Sequence, residues 1–198
     1  MRKRHSGFTL IELLVVISVA SILIFIAIPN FRDSVKKNSI ETVQGRLKNS
    51  VNQAKTESLS RGRSVVICGS SNGNACNGSS DWSSGWIVFV DDGNGAGVAG
   101  DNVRHGDEER VAYQNIEGTN AINSKDTSGN VNSIAFNSLG YLDNGNASTI
   151  RVCGPDGDVS FARSVVILVS GLSAASRDSS GDSDYTHEDV SGSNLTCS

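Results

Sequence analysis

The sequence predicts an α+β fold in which one long N-terminal helix packs on an antiparallel β-sheet head. Three observations carry this reading. The run from Phe8 to Ile28 is apolar except for a single charge, Glu12. Apolar residues then recur at helical spacing as far as Leu59. Beyond Gly62 the spacing shortens to that of strands, in segments bounded by Gly, Ser, Asn and Asp.

Residues 1–7 (MRKRHSG) form a short leader with Arg2, Lys3 and Arg4 and no acid. The helix expected over 8–29 is long enough to cross a membrane. At about 1.5 Å per residue the apolar run measures about 31 Å, close to the thickness of a bilayer's hydrocarbon core. Its basic flank would hold the N-terminus in the cytoplasm and send the remainder across. The run lacks the A-x-A-like ending of a cleaved secretory signal. Glu12 is out of place in such a helix. An acid near the bilayer centre costs about 2.5–3.5 kcal/mol on insertion scales, which marks it as a functional residue.

Residues 30–62 read as an amphipathic stem. Phe31, Val35, Ile40, Val43, Leu47, Val51, Ala54 and Leu59 make an apolar face to pack on a sheet, with Lys36, Lys37, Lys48 and Lys55 opposite. Gly62 is the expected stop. The head, 63–198, carries six predicted strands at 63–69, 84–90, 110–114, 131–136, 148–153 and 164–169. Each is rich in β-branched or aromatic residues. A helix laid on such strands is a layered α+β arrangement.

The 198 residues carry 17 Lys and Arg against 21 Asp and Glu, unevenly spread. Segment 30–63 has eight basic and three acidic residues, whereas 64–198 has six basic and 17 acidic. An acidic head repels phosphates, which argues against DNA as a partner. With three His and one Met, and only one long apolar run, the chain is neither a His-rich metal enzyme nor a multi-span transporter.

Four cysteines, Cys68, Cys76, Cys153 and Cys197, all follow the apolar run. An even number in an oxidising compartment predicts two disulfides, with three pairings formally possible. Cys68 and Cys76 enclose a short Gly/Ser/Asn loop and are expected to pair, leaving Cys153 for Cys197. A zinc site lacks the necessary spacing and nearby His. The acidic loops 91–102 (Asp91, Asp92, Asn94, Asp101) and 178–189 (Asp182, Asp184, Glu188) carry calcium-type ligands but no EF-hand spacing, and read as solvated loops. His105 and His187 have no nucleophile placed beside them, and no G-x-S-x-G elbow occurs. Neither enzymatic activity, cofactor nor metal is expected.

The run G-F-T-L-I-E at 7–12 resembles the processing site of type IV prepilins and pseudopilins. That resemblance implies a cut after Gly7, N-methylation of the new N-terminal Phe8, and a contact between Glu12 and a neighbouring subunit's N-terminal amine. The family's Pro late in the apolar run matches Pro29, where a kink or local unwinding is expected. The order of R-S-V-V-I-C, then G-W-I-V-F-V-D at 85–91, then I-A-F-N-S-L-G is similar to the GspH/FimT/FimU branch of minor pilins. This implies a type IV pilin-like fold and a minor pilin that takes part in pilus assembly, at initiation or in a tip complex. A pseudopilin of a type II secretion system is the alternative. Partners implied are other pilins or pseudopilins, the prepilin peptidase and the bacterial inner membrane, with the head in the periplasm before assembly. DNA-receptor members carry a Gly-Arg-x-Arg-type stretch, but here Gly171-Leu172-Ser173-Ala174 lacks both Arg.

Overall fold

The computed structural model describes residues 9–94, 98–177 and 187–197, with the backbone alone for 26–30. Helix α1 runs Leu10–Arg61, so the expected membrane and stem segments are one element. Thr9 caps its start: the Leu13 N–H donates to the Thr9 carbonyl at 3.2 Å and the Glu12 N–H to Thr9 Oγ1 at 3.3 Å. Gly62 ends it in the left-handed region (φ +63°), its N–H returning to the Ser58 carbonyl at 2.9 Å. The backbone is helical on both sides of Pro29 and through it, so the chain does not unwind there. Two compact units divide the chain, Met1–Asn38 and Ser39–Ser198.

In the second unit, Ile40, Val43, Leu47, Val51 and Ala54 of α1 are buried. Their spacing of three and four residues is one helical face. Gln44, Ser50 and Ser58 share that face and are buried with them. The buried face is shorter than the sequence suggested, because Phe31, Val35 and Leu59 are exposed. At about 100° per residue Phe31 and Val35 fall on the side of the helix away from Ile40.

The strands form two antiparallel sheets where one was expected. β1 (Ser64–Gly69), β2 (Gly85–Asp91), β3 (Arg110–Asn115) and β6 (Ser133–Phe136) make the first, in the order β3-β2-β1-β6. The second has the order β5-β4-β7-β8-β9, from β4 (Ala121–Asp126), β5 (Gly129–Asn130), β7 (Ser148–Cys153), β8 (Arg163–Ile167) and β9 (Ser173–Ala175). The stem face, Val65, Ile67, Trp86 and Val88 of the first sheet, and Ile122, Ile150, Val165 and Ile167 of the second belong to one core. Two buried polar contacts fix α1 upon it. Gln44 Nε2 donates to the Ser164 carbonyl at 2.7 Å, and Trp86 Nε1 to Ser50 Oγ at 2.9 Å.

Every residue of β2 is buried. Trp86, Val88 and Val90 face the helix side, while Ile87 and Phe89 join Val66 and Cys68 in a second cluster on the other face. Burial on both faces is why this strand reads as a continuous apolar run. β4, β5 and β9 escaped the sequence reading because A-I-N-S-K-D, G-N and S-A-A have little β-propensity. Ladder pairing supplies what propensity does not: β4 pairs with β7 along its whole length, and β9 with β8.

Cys68 pairs with Cys76, eight residues on, and Cys153 with Cys197, 44 residues on. The second bond fastens the chain's final segment to the second sheet. Leu195 packs with Cys153 and Ala162, Arg151 Nη1 donates to Thr196 Oγ1 at 3.0 Å, and Lys125 pairs with Asp189. In the chain-entropy account the longer loop contributes about 4 kcal/mol and the shorter about 2.5 kcal/mol. Replacing Cys153 and Cys197 together by Ser should therefore lower unfolding free energy more than replacing Cys68 and Cys76. Equilibrium denaturation of the two double variants checks this ordering.

Candidate assembly surfaces

The first surface is the N-terminal part of α1. From Leu10 (77% exposed) to Phe25 (82% exposed), each described Leu, Ile, Val and Phe side chain is exposed. Nothing among the described residues buries an apolar side chain of this stretch, a bare surface of the kind that marks a contact site. Among the described residues no helix is long and apolar enough to cross a membrane. The described apolar side chains span about 24 Å of helix, and those of 26–30 lie outside the described set. Gly7, Phe8 and the Pro29 side chain also lie outside it.

Glu12 is exposed in the first turn of α1. Thr9 and Glu12 form a T-x-x-E pattern, the signature of a capping box, which the sequence reading passed over. At this position a carboxylate faces the positive end of the helix dipole and four N–H groups short of intrahelical partners.

The second surface lies on the head, where Leu59, Leu139, Tyr141, Leu168, Val169 and Leu172 are exposed. Three segments meet there. The Leu142 N–H donates to the Val169 carbonyl at 2.9 Å, and the Leu168 N–H to the Leu172 carbonyl at 2.9 Å. Gly171 (φ +73°) lets the two turns touch, since a Cβ there would stand 2.1 Å from the Gly140 carbonyl oxygen. Lys55 Nζ donates to the Ser170 carbonyl at 2.9 Å. Lys55 is thus tied to the head and is not part of an outward basic stripe. The sequence reading missed this patch because it extended β8 to residue 169, whereas Leu168 and Val169 belong to a turn.

Two buried acids on the head organise backbone. Asp91 is buried and accepts the N–H groups of Gly100 and Asn102, each at 2.8 Å. Glu108, also buried, accepts those of Gly93 at 3.0 Å and His105 at 2.8 Å. The expected solvated loop is therefore anchored from below. Among the described residues no cluster of three or more His, Cys, Asp or Glu is arranged to hold a metal. Asp182 and Asp184 lie outside the described residues, and Glu188 is buried. Arg61 joins the end of α1 to the strand region by a two-pronged pair with Glu109 (2.7 and 2.9 Å) and a bond to Glu57 (2.6 Å). Glu109 first, then Glu57, strengthens its hold on its proton. His187 Nδ1 lies 2.8 Å from the Ser176 carbonyl, a structural contact.

A helix with a bare apolar first part, whose later turns form the core of an antiparallel β head, defines the pilin-like class. Two crystal structures of the type IV minor pilin FimU from Pseudomonas aeruginosa share the fold. One aligns at TM-score 0.55 and 16% identity over 81% of this chain and 96% of that one. The other aligns at TM-score 0.53 and 15% identity over 80% and 99%. No curated protein sequence matches the chain. The family described as type II transport protein GspH matches residues 44–172, and the prokaryotic N-terminal methylation motif matches residues 2–28. The chain belongs to the GspH family.

His105 Nε2 lies 3.0 Å from Asp101 Oδ2. That hydrogen bond raises the His105 pKa above the ordinary 6.5 and lowers that of Asp101 below 3.8. Stability from the histidine is full below its unfolded value and is lost as pH rises through the raised one. The aspartate's contribution is present above 3.8 and is lost as pH falls through its lowered value. An NMR titration should place His105 above 6.5, and Asp101→Asn should return it toward 6.5.

Proposed function

We propose that this chain is a minor pilin that enters a type IV pilus, acting at initiation or in the tip complex. The observation that carries the reading is the bare apolar stretch of α1 with Glu12 in its first turn. Residues 1–7 are the leader, removed by prepilin peptidase after Gly7, and Phe8 becomes the methylated N-terminus. Segment 8–29 spans the inner membrane before assembly and packs among other pilins afterwards. Segment 30–62 is the stem and 63–198 the periplasmic head. In lipid Glu12 is costly to hold charged. The N-terminal amine of an adjacent subunit, created by the cut, supplies the opposite charge and draws the helix from lipid into the bundle. Head-to-tail contacts of this kind do not close, and they build filaments. The exposed leucines around Gly140 and Gly171 supply a head contact in the same assembly.

The role is structural rather than catalytic. The acidic head, with Lys55 committed to Ser170, speaks against DNA as a partner. A pseudopilin of a type II secretion system is the second reading, favoured by the family's own description.

Intact-mass analysis of protein from its native host should find a chain that starts at methylated Phe8. Gly7→Leu should leave the leader in place, because the peptidase must fit extended backbone around the scissile bond. Glu12→Ala should be processed normally yet fall at least tenfold in the sheared filament fraction. A species starting at Met1, or normal incorporation of Glu12→Ala, would contradict the proposal. Loss of surface pili on deletion supports the first reading, and loss of protein secretion with intact pili supports the second.

A further inference from the structure

A cavity of about 350 Å³ opens on the head beside β6. Its floor is set by Ala135. Ile134 and Phe136, on either side, turn into the main core, so Ala135 faces the opposite side of the sheet, in register with Val66. A larger side chain there would occupy the space.

The walls are polar and open-handed. Asn102, Asn130, Asn132, Ser133, Asp143 and Asn144 line the cavity. Asn144 is already engaged, donating to Asp126 Oδ2 at 3.0 Å and accepting from the Asn146 N–H at 3.0 Å. The side chains of the other five make no hydrogen bond to a described residue, and Asn102 Oδ1 is buried without a partner. Loop asparagines elsewhere are spent on their own turns. Asn72 accepts from Asn74 and Ala75, Asn77 from Ser79, and Asn137 from Leu139 and Tyr141. Asn102 is also the one non-glycine residue at positive φ (61°) among the described residues. Glycine would adopt that conformation at less cost, so the backbone alone does not require a carboxamide there.

Several ligand classes fail on this lining. No Lys or Arg faces the cavity, which disfavours phosphates and other anions. One carboxylate, Asp143, is too few for a divalent cation. No aromatic ring lines it to stack a base. Carboxamides donate and accept at once, a carboxylate accepts two adjacent hydroxyls, and Ala135 offers a small apolar face. That set matches a pyranose ring, with hydroxyls on its rim and C–H groups on its face. We infer that this cavity binds a neutral sugar residue, such as one unit of a surface glycan, with Asn132, Asn130 and Asp143 meeting its hydroxyls. The inference is independent of filament membership.

The test uses the full chain in a detergent without a sugar head group. Saturation-transfer NMR is recorded with the methyl glycosides of glucose, galactose and N-acetylglucosamine at millimolar concentration. At least one glycoside should receive saturation. The signal should fall at least fivefold in Ala135→Leu, which fills the floor, and in the double variant Asn132→Ala with Asp143→Ala. Asn115→Ala, on the far edge strand, should leave it unchanged. Unfolding midpoints within 2 °C of the parent would show that the variants are folded, and Asp143→Asn provides a milder change should either fail that check. No saturation of any glycoside, or equal saturation in parent and folded variants, overturns the inference.

Discussion

The structure depends on the burial of one helical face, Ile40 to Ala54, beneath the apolar sides of two sheets. Neither sheet could stand alone, because each presents a row of Val and Ile that needs a cover. The helix supplies that cover for both and places them in one core. The polar members of its buried face hold its rotation. Ser50 answers the Trp86 indole and Gln44 reaches the Ser164 carbonyl. A buried donor without a partner costs about 1–3 kcal/mol, so rotating α1 would strand both contacts.

The first unit follows the opposite rule. Its apolar side chains have no sheet to meet, and Leu10 to Phe25 are bare. One sequence element thus meets two surroundings. Beyond residue 39 it completes a folded head, and before it the described apolar side chains stay exposed. The separation explains how a subunit could change its apolar surroundings without unfolding its head.

Sequence alone carried the helix, its Gly62 stop and six strands from local pattern, the Cys68–Cys76 pair from its short loop, and Cys153–Cys197 as the pair that remained. It overextended the stem face to Phe31, Val35 and Leu59, which are exposed; Phe31 and Val35 point away from the Ile40 face. β4 was invisible because Asn123, Ser124 and Lys125 carry no strand signal, and the ladder to β7 that orders them is contact between residues distant in sequence. The Leu168–Leu172 patch was hidden for a similar reason, since it needs α1, the turn around Gly140 and the turn around Gly171 together. The T-x-x-E start at Thr9 is a local pattern and was legible in the sequence. The cavity beside Ala135 could not be read, because its lining comes from three separate stretches of chain.

The central claim is that α1 is divided in its work near residue 39, the head being complete without the bare apolar part. A chain beginning at Asn30 tests this directly. Without detergent it should be a soluble monomer, with an unfolding midpoint within about 2 °C of the full chain in detergent. An unfolded or aggregated product would show that the N-terminal helix contributes to the head's own stability, and would contradict the account.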